Sequence, residues 1–324
     1  MKNGVEFMLN RNMMKILVCV SGNAPGYTFE RTQVFVYEQI ESVKRLDSSM
    51  DYRVFPIVGK GIKGYLASLK ELKRVIKEYQ PDIVHAHCGH VGAQAVLQRR
   101  VPVVTTFHGS DVNSRKMRPI ASFASLLSCE SFFVSKKLMK TLCIKGRHNS
   151  IIPCGVDRGI FHPRDKEDCK KQLGIDKNYI LFASDFENSV KNPTLAKAVA
   201  THFPDLELRE IKNRSREEVS QLINGAELVL MTSFTEGSPQ IIKETIACGQ
   251  RVVSVDVGDV KEQIEGLRNC RVCDADETKL MVAVREVLNE PVESGKVADK
   301  YDIGLIAKTI LNKYYTIIQR YGRH

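Results

Sequence analysis

Nine cysteines in 324 residues are too sparse, and odd in number, for the disulfide framework of a small secreted protein. Cys270 and Cys273 form a C-x-x-C, but no second pair and no nearby histidine completes a metal site, so ordinary reduced thiols on a strand and its turn are expected. No apolar run approaches the roughly 18–20 residues of a membrane span. The richest stretch, 120–134, contains Ser, Cys and Glu130. A signal core is missing as well, because Asn10, Arg11 and Asn12 interrupt the N-terminus. Residues 1–13 read as a leader or a misassigned start outside the fold, and the protein as cytoplasmic. Helix-turn-helix, zinc-finger and aromatic-platform signatures are also lacking, which argues against nucleic acid as partner.

What is present is a globular composition with an excess of base. The chain is 43% hydrophobic and 27% charged, with a formal net charge of +10. Residues 1–160 hold 24 Lys or Arg against 12 Asp or Glu, a net of +12, and residues 161–324 hold 24 against 26, a net of −2. The whole excess sits in the first half, so the two halves are expected to face different partners.

The length suggests about two domains, and the patterning agrees. Apolar strands at Lys15–Val20, Asp82–His87, Pro102–Phe107 and Ser131–Val134 alternate with helical segments near Thr32–Lys44, Ile62–Tyr79, Gly92–Gln98 and Arg118–Leu127. In Ile62–Tyr79 one face carries Ile62, Leu66, Leu69, Leu72 and Ile76. The pattern restarts with strands at Tyr179–Ala183, Leu206–Ile211, Glu227–Met231 and Arg251–Val255. Helices are expected at Pro193–Thr201, Arg216–Ile223, from about Pro239, and at Glu277–Leu288. The last segment, Gly304–Arg320, is amphipathic through Leu305, Ile306, Ile310, Tyr314 and Ile317. Alternation of this kind predicts parallel sheets covered on both faces. The expected organisation is α/β, with two Rossmann-like doubly wound domains, 14–160 and 161–303, facing a central cleft. Residues 304–324 would form a helix crossing back to the first domain.

The stretch Phe234-Thr-Glu-Gly-Ser-Pro-Gln-Ile-Ile-Lys-Glu244 follows a buried strand, and Ser238-Pro239 reads as a helix N-cap and first position. Amides at such a helix start suit a phosphate. Glu244 lies inside the helix and Glu236 in the loop before it, so two carboxylates stand at different depths. Lys243 could pair with either carboxylate or lie on the outer face. Two acids eight apart are commonplace on their own. His85, His87 and His90 with Cys88 suggest a metal-dependent hydrolase, but the Asp such a motif supplies is absent, and polar groups lining a cleft are the plainer reading.

In the context E-G-S-P-Q-I-I-K-E, the E-x7-E spacing resembles the donor-site signature of retaining glycosyltransferases of family 4, which have the GT-B fold. Asp82-Ile-Val-His-Ala-His87, Thr106-Phe-His-Gly-Ser-Asp111, Ser135 after Phe-Phe-Val, and Pro153-Cys-Gly-Val-Asp157 with Phe161 and Pro163 are similar to further landmarks of that family, in order from Met14 onward. The resemblance implies a transferase of class EC 2.4 that takes a nucleoside diphosphate sugar as co-substrate, without metal or other cofactor. Glu244 would bind the ribose hydroxyls, Glu236 would sit near the transferred sugar, and Lys191 would neutralise the diphosphate. Backbone amides from Gly237 through Ser238 and Pro239 to Gln240 would contact sugar or diphosphate, and His108 would hydrogen-bond the sugar. Gly22 matches the family's glycine loop.

One departure stands out: Ser184-Asp185 replaces the family's Gly-Arg. Either another base such as Lys243 compensates, or Asp185 caps its own loop, or activity is impaired. The basic first half, with clusters at Lys136–Arg147 and Lys70–Lys77, suggests an acceptor domain at an anionic membrane surface carrying a glycan or lipid-linked acceptor for cell-surface polysaccharide. The rival expectations are a nucleotide-sugar epimerase and a non-catalytic sugar-nucleotide binding protein.

Overall fold

A computed structural model describes residues 13–24, 26–59, 61–292 and 299–321. The leader expected at 1–13 falls, but for Met13, outside the described residues. The chain divides into two compact units, one comprising residues 1–153 and 304–324 and the other residues 154–303. The division falls seven residues before the expected one. Val156 accounts for this, since it is buried in the core of the second unit.

The first unit is built on six parallel strands, β1 (Lys15–Ser21), β2 (Asp51–Ile57), β3 (Ile83–His87), β4 (Val103–Phe107), β5 (Glu130–Phe133) and β6 (Asn149–Ile151), in the order β2-β1-β3-β4-β5-β6. Alternation along β1 supplies two cores. Ile16, Val18 and Val20 face one, with Val36, Ile40 and the C-terminal helix Ile303–Tyr321, while Leu17 and Cys19 face the other, with Leu72, Val75 and Ile76. Sequence patterning gave no signal for β2. It is an edge strand with Arg53 and Pro56 in it and only two fully buried positions, so no continuous apolar run marks it.

Two helix faces differ from expectation. In Gly61–Tyr79 the buried positions are Ser68, Leu72, Val75 and Ile76, and Leu66 is exposed; the side chain of Ile62 lies outside the description. In Ile303–Tyr321 the buried stripe runs Ile306, Ala307, Ile310, Tyr314, Ile317 and Ile318, leaving Leu305 exposed. The true stripes follow the i, i+3/i+4 rows that touch the sheet, and Leu66 and Leu305 stand outside them.

The second unit holds five parallel strands, β7 (Tyr179–Phe182), β8 (Glu207–Arg209), β9 (Leu228–Met231), β10 (Val252–Val255) and β11 (Cys270–Cys273), ordered β11-β10-β9-β7-β8. Its sheet is again buried on both faces, through Leu181, Val229 and Met231 on one and Ile180, Leu228 and Leu230 on the other. Cys270 and Cys273 are free thiols on β11. In each unit the order reverses beside the first strand, between β1 and β3 and between β7 and β9. In doubly wound sheets, ligands sit outside the carboxyl ends of the strands at such a switch.

Candidate active site

The loops that leave β7 and β9 at the switch of the second unit are tied together. The Phe234 amide donates to the Val190 carbonyl at 3.0 Å. The Thr232 hydroxyl reaches the carbonyls of Lys191 and Asn192 at 3.0 and 2.9 Å. Asn192, in the left-handed region, accepts the Leu195 amide and so starts the helix Pro193–Ala200. This scaffold brings two residues 45 apart in sequence into contact, as Lys191 Nζ lies 2.6 Å from Glu236 Oε1. Their pairing was not foreseen, because spacing does not say which acid meets which base.

The helix after this loop is Gln240–Ala247, with Pro239 at the N-cap and no side-chain cap. The expected cap at Ser238 fails because its hydroxyl donates instead to Asp259 Oδ2 at 3.0 Å. Burial raises the Asp259 carboxyl above its usual range, partly offset by Lys243 and by hydrogen bonds from Gln263 and Ser238. Gly258, at φ +55°, lets that segment lie against the loop. A β-carbon there would stand 3.1 Å from the Gly237 carbonyl oxygen and 3.2 Å from Glu236 Cβ. The loop Glu236–Pro239 is thus fixed from behind, and the first amides of the helix have no intrahelical acceptor.

Glu244, the fifth helical residue, is buried and forms a close ion pair with Arg216. Arg216 opens the helix Arg216–Gly225 under a capping box made by Ser215 and Glu218, and its guanidinium lies 4.6 Å from the Phe161 ring centroid. The start of that helix was legible, but its role as partner of Glu244 was not. Lys243 meets neither carboxylate and does not face outward. It is fully buried, donating to the Cys154 carbonyl and to Gln240 Oε1, both at 3.2 Å, and desolvation lowers its pKa. It therefore cannot stand in for the missing arginine. Gln240 spends its side-chain amide on the Gly155 carbonyl at 2.6 Å. Asp185 accepts the Glu187 amide at 3.0 Å and caps its own turn.

At the switch of the first unit the polar groups are imidazoles. His85 Nδ1 lies 2.6 Å from the Tyr314 hydroxyl and Nε2 2.7 Å from Thr106 Oγ1. His87 stacks on His85 with centroids 4.3 Å apart, and its Nδ1 is 3.1 Å from His108 Nε2. Burial drives the His85 pKa down to about 3 and that of His87 well below its usual value, with the neighbouring rings adding to the effect. Both are neutral at physiological pH. His87 Nε2 is buried without a partner among the described residues. Asp111 fixes the surrounding backbone, accepting the amides of Gly89 at 2.8 Å and Gly109 at 2.9 Å. Gly22 packs against the edge strand, where a β-carbon would come within 2.7 Å of Pro56 Cβ. Among the described residues, no three His, Cys, Asp or Glu side chains are grouped to hold a metal ion.

The two-unit architecture is that of GT-B proteins. Sucrose-phosphate synthase from Thermosynechococcus elongatus superposes with a TM-score of 0.77 at 13% identity, covering 95% of this chain and 100% of that one. HepE of Anabaena, solved with UDP-glucose, gives a TM-score of 0.68 at 17% identity over 95% and 98% of the two chains. The model of Glycosyltransferase Family 4 matches residues 33–159, and that of Glycosyl transferases group 1 matches residues 189–290. In sequence, TuaC of Bacillus subtilis, named as a teichuronic acid biosynthesis glycosyltransferase, is 23% identical over 296 residues, 78% of this chain and 74% of that protein. With one match in each unit, the chain belongs to the family 4, group 1 glycosyltransferases, enzymes of class EC 2.4.

Proposed function

We propose that the protein transfers a sugar, with retention of anomeric configuration and without a metal, from a nucleoside diphosphate sugar to a glycan or lipid-linked acceptor in cell-surface polysaccharide synthesis. The observation that carries this reading is the pair of ionic contacts at the switch of the second unit, Lys191 with Glu236 and Arg216 with Glu244. Glu244, oriented by Arg216, takes the ribose hydroxyls. Lys191, together with the amides from Gly237 to Gln240, takes the diphosphate as its charge develops. Glu236 then exchanges Lys191 for hydroxyls of the transferred sugar, and His108 donates a hydrogen bond to that sugar.

The bond between the anomeric carbon and the phosphate oxygen breaks as the acceptor oxygen attacks from the same face, and the acceptor proton passes to the departing diphosphate. No side-chain nucleophile is required. That HepE was solved with UDP-glucose and that TuaC is named for teichuronic acid biosynthesis favour a nucleotide-sugar donor and a polysaccharide product. A peripheral position on the inner face of the cell membrane completes the proposal.

The test is a panel of UDP, GDP and ADP sugars offered with and without acceptors. One donor is expected to raise the melting temperature, since a ligand of the native state stabilises it, and to yield a glycosylated acceptor with the donor's anomeric configuration. Inversion would overturn the stereochemical claim. An epimerised nucleotide sugar from donor alone would overturn the transfer reading, and binding without turnover across all acceptors would leave only a binding protein.

A further inference from the structure

The helix Arg118–Leu127 buries Ala121, Ala124 and Ser125 against the first unit. Its other face is apolar and uncovered: Ile120, Phe123, Leu126 and Leu127 are exposed, Phe123 at 42% and Leu126 at 52%. Ile120, Phe123 and Leu127 fall at i, i+3 and i+7, so they form one stripe. Ile144, 62% exposed, lies on the following loop, which is pinned to this helix where the Gly146 amide donates to Ser125 Oγ at 3.1 Å. Soluble surfaces carry single exposed apolar residues routinely, but grouped ones mark a contact.

The charge around the stripe is one-sided. Residues 112–150 contain eight Lys or Arg and a single carboxylate, Glu130. Glu130 is buried and already holds Lys313 and the Ser150 hydroxyl. Lys136, Lys137 and Lys140 are exposed on the neighbouring helix Lys136–Thr141, and Lys145 and Arg147 flank Gly146. The other basic run of this unit differs. On Gly61–Tyr79, Arg74 is paired with both Glu71 and Glu78, so that helix neutralises part of its own charge.

We infer that the face made by Arg118–Leu127 and the 136–147 segment docks on an anionic lipid surface, with Ile120, Phe123, Leu126, Leu127 and Ile144 entering the interface and the surrounding lysines and arginines meeting the lipid phosphates. An aliphatic and aromatic stripe bordered by uncompensated base matches a headgroup layer over hydrocarbon. A nucleic acid would use the bases and leave the stripe wet. The inference deepens the acceptor side of the proposed function, and its test needs neither donor nor turnover, so failure of one is separable from failure of the other.

The experiment is sedimentation of the full chain with vesicles of phosphatidylcholine alone or with 30% phosphatidylglycerol. Binding is expected to the anionic vesicles only. Each lysine near such a surface contributes roughly fivefold in affinity, so Lys136→Ser, Lys137→Ser and Lys140→Ser together should weaken binding about a hundredfold. Phe123→Ser with Leu126→Ser should weaken it at least tenfold at unchanged charge. All five side chains are exposed or half-buried, and an unchanged melting temperature verifies the fold. Wild-type binding by the Phe123/Leu126 variant would overturn the docking face, as would equal displacement by a short DNA duplex. So would a concentration-dependent dimer that the same variant abolishes, because a second copy would then cover the stripe.

Discussion

The two units share a scaffold and differ in the chemistry they place at the same topological point. At the switch of the second unit the polar side chains are ions in pairs, Lys191 with Glu236 and Arg216 with Glu244. At the switch of the first they are imidazoles, of which burial keeps His85 and His87 uncharged; these two stack on each other, His85 bonding Tyr314 and His87 bonding His108. Paired ions hold a place for a charged ligand, because incoming phosphate can take over a cation already paid for in desolvation. Neutral rings suit hydroxyls, to which they offer direction without net charge. The net charge of each half points the other way, +12 in the first and −2 in the second. The surplus base of the first half thus belongs to its surface.

The comparison breaks most easily at Lys191. Lys191→Ala should lower turnover by about a hundredfold or more, the scale of a lost oxyanion or phosphate contact, with Lys191→Arg recovering part of it. Turnover near wild type would remove the diphosphate role from the second unit.

Next in size is Arg216→Met, which leaves the Glu244 carboxylate buried without its counter-ion. Urea unfolding should show a loss of about 3–5 kcal/mol. A loss below 1 kcal/mol would mean that the pair is not the element holding Glu244.

Acid should then distinguish the imidazoles. Because the folded-state pKa of His85 is depressed, the unfolded chain takes up a proton near pH 6.5 that the native protein refuses until about pH 3. Stability is complete above the unfolded value and falls as pH drops through that window, by about 1.4 kcal/mol per unit for each such histidine. Urea midpoints from pH 7 to pH 5 should show this slope, and His85→Gln should flatten it. Identical slopes in the two proteins would contradict the neutral stack.

The smallest effect is expected at Asp185. In Asp185→Asn the side-chain oxygen still accepts the Glu187 amide, so the donor KM should stay within about twofold. A tenfold change would assign the carboxylate to the donor site.

Much of this was legible beforehand, for reasons that can be named. Short apolar runs such as Leu228–Met231 and Val252–Val255 are read directly as buried parallel strands, since both faces exclude water. Helix Glu277–Leu288 was bounded correctly because Asp276 caps it. Glu236, Glu244, Lys191 and His108 could be singled out by resemblance. What escaped was pairing between distant segments: Arg216 with Glu244, Lys191 with Glu236, Asp259 with Ser238, Tyr314 with His85. None of these follows from spacing along the chain, because each is set by which loops the sheet order brings together. Lys243 misled for the opposite reason. It lies beside Glu244 in sequence, yet successive helical positions point about 100° apart, and its ammonium ends on the Cys154 carbonyl.

The measurement that bears most directly on the account is isothermal titration of the full-length protein with UDP, GDP and ADP in parallel with its Glu244→Ala and Lys191→Ala variants. One nucleoside diphosphate should bind the wild type, and each variant should bind it at least tenfold more weakly with its melting temperature still showing a folded protein. Binding of all three proteins with the same affinity, or binding of none of the diphosphates by the wild type, would contradict the claim that the ion pairs of the second unit are a donor site.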